Sequence, residues 1–415
     1  MFPQALSKSE TDIRLPILFI LFALLSFVAS QGLLFMDAEN VVNGFYRTPL
    51  IWSAAHLLLL GWGTMVAMGA MYQLVPVAFL VPIWSMRLGY MQFFITAVGI
   101  VLLCGSFLFY MDGLAVSGGI TVIGILLFLF QMAMSLRKQQ QKNVMTLFVV
   151  ASLLCLFLTI GLGLLLALNL GLGLSVIDHT VLLKTHILLG IGGWFTLLII
   201  GFSYKLVPMF ALAHGFSMKL SNWVFGLYAA GLVASAGSFF FGQPLLFIAG
   251  LFLLFAAFSL FALHMRQIVR KRLKKRLDKG FMFSLGSIAG GWFLHLLAVL
   301  AATLPEAGRA FGWILYFYII IWITFTIAGY LYKVVPFLWW TYKYSTVAGK
   351  KGTPLLKDLI NDRTAVVTFS LFIIAALGIA AALAVQANVL FLFSQALFFA
   401  ATALFLMMIV TIATR

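Results

Sequence analysis

Tyr72-Gln73-Leu74-Val75-Pro76, Tyr204-Lys205-Leu206-Val207-Pro208 and Tyr332-Lys333-Val334-Val335-Pro336 are three copies of one motif. Each copy closes a long apolar stretch, and a glycine stands three residues before each tyrosine. The three prolines are separated by 132 and then 128 residues. Such regular spacing indicates an internal repeat. The predicted repeat blocks are about residues 14–142, 143–279 and 280–415.

The composition is that of a membrane protein. Of the 415 residues 64% are hydrophobic and only 9% are charged, whereas soluble domains carry roughly a quarter charged residues. Apolar stretches long enough to cross a bilayer recur throughout. We therefore predict an all-α polytopic fold, one membrane domain over residues 1–415 with twelve spans, four to a block. The predicted spans are 14–36, 48–80, 88–110, 113–136, 145–172, 180–210, 220–241, 244–268, 281–303, 310–341, 364–386 and 389–413.

The basic residues predict the orientation of these spans. Loops after even-numbered spans hold most of the lysines and arginines, including the run 266–279, whereas loops after odd-numbered spans hold only Arg47 and Arg309. By the positive-inside rule both termini are cytoplasmic, in an inner (plasma) membrane. The first span lacks a small-residue cleavage site, so we expect a retained helix. The net charge of +16 is explained by these loops, and the expected partner is the lipid bilayer rather than nucleic acid.

Each motif lies at the cytoplasmic end of the second span of its block, where its proline is expected to end or kink the helix. The outer parts of two of these spans hold histidines, His56 in span 2 and His186 in span 6. Intramembrane histidine indicates a functional site by default. Small residues share the helical face of each histidine. They are Gly63, Gly190 and Gly193.

Two interpretations of this arrangement remain open. A histidine beside a small-residue strip leaves room for a flat cofactor, and neutral imidazole is the usual axial ligand of heme iron. The alternative is a hydrogen-bonded core histidine with glycines that allow close helix packing. His295 in span 9 and His179 at the start of span 6 are further candidates for the same outer site. Span 10 has no histidine there, and Tyr316 or Tyr318 is a candidate weak ligand or hydrogen-bond donor.

The acidic residues narrow the chemistry. All ten lie in predicted loops or at span ends. Proton relays and cation carriers usually place a carboxylate within the membrane, so the sequence disfavours proton pumping through carboxylates and transport of hard cations. A methionine stripe at Met65, Met68 and Met71 fits either core packing or soft-metal binding.

Twelve spans in three blocks, cytoplasmic termini and histidines in spans 2 and 6 resemble the heme–copper oxidase subunit I superfamily. The resemblance implies a low-spin heme on His56 and makes His186 the counterpart of a copper ligand. It also makes Arg47, Lys184 and Arg309, at the outer ends, candidate partners of heme propionates; ordinary interfacial anchoring is the alternative. Heme is thus the predicted cofactor, copper is a second candidate, and small accessory subunits are candidate partners.

The chain departs from that family at several ligand positions. Span 10 carries no histidine, the start of span 7 reads Leu220-Ser221-Asn222-Trp223, and the stretch between spans 11 and 12 reads Gln386-Ala387-Asn388. The ligand set for oxygen reduction is therefore incomplete, and the chain is also similar to heme–copper membrane proteins of the nitric-oxide response. We expect a heme-binding protein for heme or diatomic-gas handling or electron transfer, rather than an oxidase. The alternative is a transporter or accessory factor for copper, heme or a small molecule.

Overall fold

The computed structural model describes residues 12–304 and 308–414. Within them the regular elements are helices, without a β-strand, and twelve are long and apolar enough to cross a membrane. This confirms the predicted all-α, twelve-span fold. Spans 1–12 are Arg14–Met36, Pro49–Phe79, Met86–Phe109, Met111–Leu136, Val144–Leu172, His179–Ala211, Lys219–Phe241, Pro244–Arg270, Lys279–Ala301, Gly308–Val347, Asp362–Ala384 and Asn388–Ile412.

The chain divides into two compact units, with boundaries between Gln140 and Gln141 and between Gly329 and Tyr330. Unit 1 holds spans 1–4, 11 and 12 and the second half of span 10. Unit 2 holds spans 5–9 and the first half of span 10. The first boundary coincides with the predicted border between blocks one and two, whereas the second falls inside span 10. Each unit is described by itself below.

The second span of each block has the same local construction. An α-helical segment gives way to a π-helical segment and then returns to α-helix. In a π-helix the hydrogen bonds reach back five residues, and such segments are rare and concentrate at functional sites. The three π segments are Leu57–Thr64, Leu188–Thr196 and Tyr318–Thr324.

Each π segment ends in a threonine that follows a tryptophan by two residues, and all six side chains are buried. The hydroxyl of Thr196 donates to the carbonyl of Ile191, five residues earlier, at 2.9 Å. A threonine that reaches back by the π spacing stabilises the wider turn. The Trp-x-Thr elements keep the register of the motif, since each threonine precedes its motif proline by the same interval. They are Trp62 with Thr64, Trp194 with Thr196 and Trp322 with Thr324.

The glycine before each motif tyrosine packs on the first span of its block. A Cβ on Gly69 would lie 2.7 Å from the Cβ of Phe19, and one on Gly201 would lie 2.8 Å from the Cβ of Phe148. Gly329 makes the equivalent approach to Ser284. Small residues at such crossings let backbones come close, the main source of packing energy between membrane helices.

The motif tyrosines join the second span to other spans of their block. The Tyr72 hydroxyl donates to Oε1 of Gln92 at 3.1 Å, and that of Tyr332 donates to Oδ1 of Asp362 at 3.4 Å. The Tyr204 hydroxyl lies 3.3 Å from Nδ1 of His264. The three partners lie on spans 3, 11 and 8. A helix-packing role for the motif follows from these bonds.

The motif prolines do not end their helices, so of the two predicted effects, a helix end or a kink, the first is wrong. Spans 2 and 6 continue past Pro76 and Pro208 and stop only when a leucine four residues later takes a left-handed conformation. These residues are Leu80, with φ 54°, and Leu212, with φ 52°. A proline after a full α turn removes one N–H but does not force termination. Helix Phe325–Tyr344 of the third block runs still further past its proline.

The last two spans of each block form a close antiparallel pair. In block one a Cβ on Gly99 would lie 2.7 Å from the backbone of Thr121, and Gly124 approaches the backbone of Thr96 in the same way. Gly231 and Gly250 make this contact in block two, and Gly378 meets Ser394 in block three. The crossing points therefore lack side-chain volume in all three blocks.

We predict that Gly99→Ala lowers the free energy of unfolding by about 1–3 kcal/mol, because the added methyl group meets backbone atoms, which cannot rotate away. The measurement is thermal unfolding of the purified protein in detergent. The matched control is Gly105→Ala in the same helix, where an added Cβ has no atom within 4 Å. Equal melting temperatures for the two variants would contradict the packing assignment.

Candidate functional site

His56 ends the first α-helical segment of span 2, directly before the π segment. Its Nδ1 lies 2.7 Å from the carbonyl oxygen of Trp52, and its ring centroid lies 4.9 Å from that of Phe107 on span 3. A carbonyl oxygen can only accept, so Nδ1 carries the proton and Nε2 of the neutral ring is the unprotonated nitrogen. This is the tautomer in which Nε2 serves as a metal ligand.

Arg47 lines a cavity of about 350 Å³ directly before span 2. The other lining residues are Gly44, Phe45, Tyr46 and Thr48. Thr48 caps span 2 by accepting from the amide of Ile51 at 3.2 Å, and its hydroxyl donates to Asp37. The cap fixes where the helix starts. The predicted propionate partner Arg47 thus lies at an open cavity on the same chain segment that leads to His56.

His186 adopts the same tautomer through a different partner. Its Nδ1 lies 2.9 Å from the carbonyl oxygen of Thr159 on span 5. A Cβ on Gly163 would lie 3.0 Å from Cε1 of the imidazole, so a larger residue there would crowd the ring against span 5. The ring is half-buried. Nε2 is again the nitrogen with ligand chemistry.

The glycines that follow His186 pack on span 5. A Cβ on Gly190 would lie 3.2 Å from the side chain of Thr159, and one on Gly193 would lie 2.7 Å from Cβ and Sγ of Cys155. Close helix packing therefore accounts for both, which is the alternative interpretation of the small-residue strip. Gly63 is buried within the π segment of span 2.

The other two predicted propionate partners are exposed. Lys184 sits two residues before His186, and its ammonium lies 5.8 Å from the ring centroid of Phe239. Arg309 lies in the first turn of span 10. Both side chains have the placement of interfacial anchors, and both lie near the end of unit 2 at which span 6 begins.

His295 is the most enclosed of the predicted ligands, at 7% exposure. Its Nδ1 lies 2.8 Å from the carbonyl oxygen of Gly291, and its Nε2 lies 3.4 Å from the hydroxyl of Tyr318 on span 10. The ring centroid of Phe258 on span 8 lies 4.3 Å away. Both nitrogens and one ring face are engaged with the protein, so His295 belongs to a packed cluster in unit 2.

Thr196 is the centre of that cluster. Its hydroxyl lies 2.9 Å from the hydroxyl of Tyr318 and accepts from Nε1 of Trp322 at 3.2 Å. Since its own proton goes to Ile191, the hydroxyl of Tyr318 must be the donor in the shorter contact. Because the Tyr318 hydroxyl donates its proton to Thr196, Nε2 of His295 has only the longer contact, of 3.4 Å, to that hydroxyl. Spans 6, 9 and 10 are joined by these bonds.

Tyr228 on span 7 completes the cluster. Its hydroxyl is buried beside Thr196 and Tyr318, and its ring centroid lies 6.4 Å from that of His295. A Cβ on Gly192 would lie 3.9 Å from this hydroxyl. Four spans of unit 2 thus contribute a polar side chain to one enclosed point.

The candidate His179, and His264, which was not a candidate, both have hydrogen-bond partners. His179 begins span 6, and its Nδ1 lies 2.8 Å from Oδ1 of Asn169 at the end of span 5. His264 is buried, and its Nε2 lies 2.8 Å from the carbonyl oxygen of Ser217, opposite the bond of its Nδ1 to Tyr204. These two histidines connect helix ends.

The sequence interpretation missed Thr196, Trp322 and Tyr228. The Trp-x-Thr repeat carries a signal for the first two, because it recurs with the interval of the motif. No pattern in the sequence singles out Tyr228. In the same register His56 corresponds to Leu188 and Tyr316, and His186 lies two residues earlier in its block.

Within residues 12–304 and 308–414, no three histidine, cysteine or acidic side chains converge on a point where they would hold a metal ion. Heme binding does not need such a cluster, because the porphyrin holds the iron and the protein supplies only one or two ligands.

No family model matches the chain, and no curated protein matches it.

We predict that Thr196→Val costs about 1–3 kcal/mol of stability, since it leaves the buried Trp322 and Tyr318 groups without their shared partner. Thr185→Val is the matched control, because Thr185 is buried on the same span and bonds only the carbonyl oxygen of Val181, at 2.7 Å. The measurement is thermal unfolding in detergent. A larger loss in the control than in Thr196→Val would contradict the cluster.

Proposed function

We propose that the protein binds heme within the membrane through His56 and His186, and that it serves heme or diatomic-gas handling or electron transfer rather than oxygen reduction. One observation carries the proposal. In both histidines Nδ1 is held by a backbone carbonyl oxygen, at 2.7 and 2.9 Å. A metal-ligating histidine usually donates from its other ring nitrogen in this way, which sets the tautomer, fixes the ring and raises the basicity of Nε2. His295 makes the same bond, but its Nε2 faces the Tyr318 hydroxyl inside a packed cluster, which sets it apart from His56 and His186.

The surroundings of His56 support the same role. The histidine directly precedes a π segment, and its ring is braced by Phe107, so its orientation is restricted. The cavity at Arg47, on the chain segment that enters span 2, offers a guanidinium for carboxylate groups. The ring of His186 packs against Gly163 on span 5, so its orientation is restricted as well.

Bound heme would supply one-electron redox chemistry and an iron that takes diatomic ligands. The chain's contribution is to orient Nε2 of each histidine and to supply a low-dielectric surrounding. His295 has a different role in this proposal: its Nε2 faces Tyr318, so it acts through the cluster that joins spans 6, 9 and 10. His56 lies in unit 1 and His186 in unit 2.

We do not assign an oxidase-type centre to this protein, because the residues that would hold one are incomplete. At the register of His56 the third block carries Tyr316, whose buried hydroxyl has no hydrogen-bond partner among the described residues. Tyr318, two residues later, donates to Thr196. Span 10 has no histidine, whereas the heme–copper oxidases that the sequence resembles use two there. A phenol does not replace them, because it is a weaker ligand than imidazole for reduced iron.

We further propose an inner-membrane location with both termini in the cytoplasm, on the strength of the basic loops after even-numbered spans. A green fluorescent protein fused at the C-terminus is expected to fluoresce. Alkaline phosphatase inserted at the exposed Val176, between spans 5 and 6, is expected to be active. The reverse pattern of the two reporters would overturn the orientation.

The heme proposal predicts a Soret band and a reduced-minus-oxidised difference spectrum in protein purified from heme-replete cells. His56→Gly and His186→Gly remove the proposed ligand nitrogens. Each variant is expected to lose at least about half of the bound heme, because each removes a ligand of the iron. The measurement is heme per protein by the pyridine hemochrome assay.

His179→Gly is the control, because His179 bonds a side chain at a helix end. Added imidazole is expected to restore the spectrum of His56→Gly and His186→Gly, which a merely structural histidine would not show. A colourless wild-type protein would reject heme binding and favour the alternative of a transporter or accessory factor.

A further inference from the structure

Unit 2 contains a second candidate site, at the end opposite His186. A cavity of about 430 Å³ opens where span 5 begins, span 6 approaches its end and span 7 begins. Because these three spans alternate in direction, all three parts lie at one end of the unit. The lining residues are Asn143, Val144, Met145, Tyr204, Lys205, Met218, Lys219 and Asn222.

The charge of this cavity is uncompensated. Lys205 and Lys219 bring two ammonium groups to the lining, and among the described residues neither has a hydrogen-bond or ion-pair partner for its side chain. The described part of unit 2 has only two carboxylates. Asp178 lies at the other end of span 6, and Asp278 pairs with Lys274 at 2.7 Å. Two ammonium groups beside an open cavity, with no carboxylate among the described residues that line it, favour the binding of an external anion.

The walls around Lys205 are held in place by side-chain bonds. Tyr204 reaches His264 on span 8, and the other nitrogen of His264 holds the carbonyl oxygen of Ser217 directly before Met218 and Lys219. The side-chain oxygen of Asn143 caps span 5 by accepting from the amide of Thr146 at 3.1 Å. Spans 5, 6 and 7 thus line the cavity, and His264 on span 8 holds two parts of the lining in place.

The lining and the neighbouring surface match an amphiphilic anion. Val144, Met145 and Met218 supply apolar surface beside the lysines. Leu147, Val150 and Leu154 continue an exposed apolar face along span 5, and exposed Trp223 follows Asn222 on span 7. Tryptophan is enriched where hydrocarbon meets headgroups. A basic pocket at the ends of three membrane spans fits a lipid headgroup whose acyl chains lie along the helices.

We propose that this cavity binds the phosphate group of an anionic phospholipid, with Lys205 and Lys219 as its cationic contacts. The proposal does not depend on heme, because the site lies at the opposite end of unit 2 from His186. Its chemistry, a phosphate facing two ammonium groups, is shared with inorganic phosphate. The experiment therefore separates the two sources.

The test uses full-length protein reconstituted in phosphatidylcholine nanodiscs with a minor fraction of phosphatidylglycerol. Native mass spectrometry after detergent release counts the retained phosphatidylglycerol. We expect wild-type protein to retain it over phosphatidylcholine, and Lys205→Gln/Lys219→Gln to bind it roughly tenfold or more weakly, since each lysine near the surface contributes to anionic-lipid binding. Lys205→Arg/Lys219→Arg is expected to keep it.

The matched control is Lys275→Gln/Arg276→Gln, which removes the same charge from exposed residues outside the cavity. Equal loss in the control, or equal retention of phosphatidylcholine by wild-type protein, would overturn the site. The lipid assignment would be overturned if wild-type protein retained no phosphatidylglycerol but was stabilised against thermal unfolding by inorganic phosphate, with Lys205→Gln/Lys219→Gln not stabilised. If the double glutamine variant does not fold, Lys219→Glu alone, at an exposed position, is expected to weaken retention, and unchanged retention would count against the proposal.

Discussion

A polar side chain inside a bilayer has no water to bond, so a hydrogen-bond partner on another span lowers the cost of burying it. This constraint organises the contacts between spans. Each motif tyrosine meets a polar group on another span: Tyr72 meets Gln92, and Tyr204 meets His264. The hydrogen bonds of the buried cluster around Thr196 join spans 6, 9 and 10. The glycine crossings follow from the same requirement, since short bonds between helices need backbones that approach closely.

The sequence was sufficient for the fold because length and hydropathy alone define a membrane helix. Each of the twelve predicted spans has its counterpart within a few residues, and the repeat interval found from the motif prolines returns in the π segments. The local course of the backbone was less predictable. Pro76 indicates a helix end, yet the helix ends only at the left-handed Leu80, which no propensity rule favours.

The candidate site was predictable in its residue types and not in its contacts. A histidine in an apolar span stands out, so His56, His186 and His295 were all found. Which atom each ring uses depends on the rotamer and on the facing span, and these are tertiary properties. Gly193 illustrates the difficulty: a glycine that frees space for a cofactor and a glycine that admits Cys155 from a neighbouring helix give the same sequence signal.

His295 differs from His56 and His186 in the surroundings of its Nε2. All three use Nδ1 on a backbone carbonyl oxygen, so the tautomer is common and cannot distinguish them. Nε2 of His295 faces a phenol whose proton is already directed to Thr196, inside a packed aromatic shell. An iron there would have to displace the Tyr318 hydroxyl from its place between Nε2 of His295 and Thr196. The half-buried rings of His56 and His186 lie outside this cluster, so a ligand role for either leaves it intact.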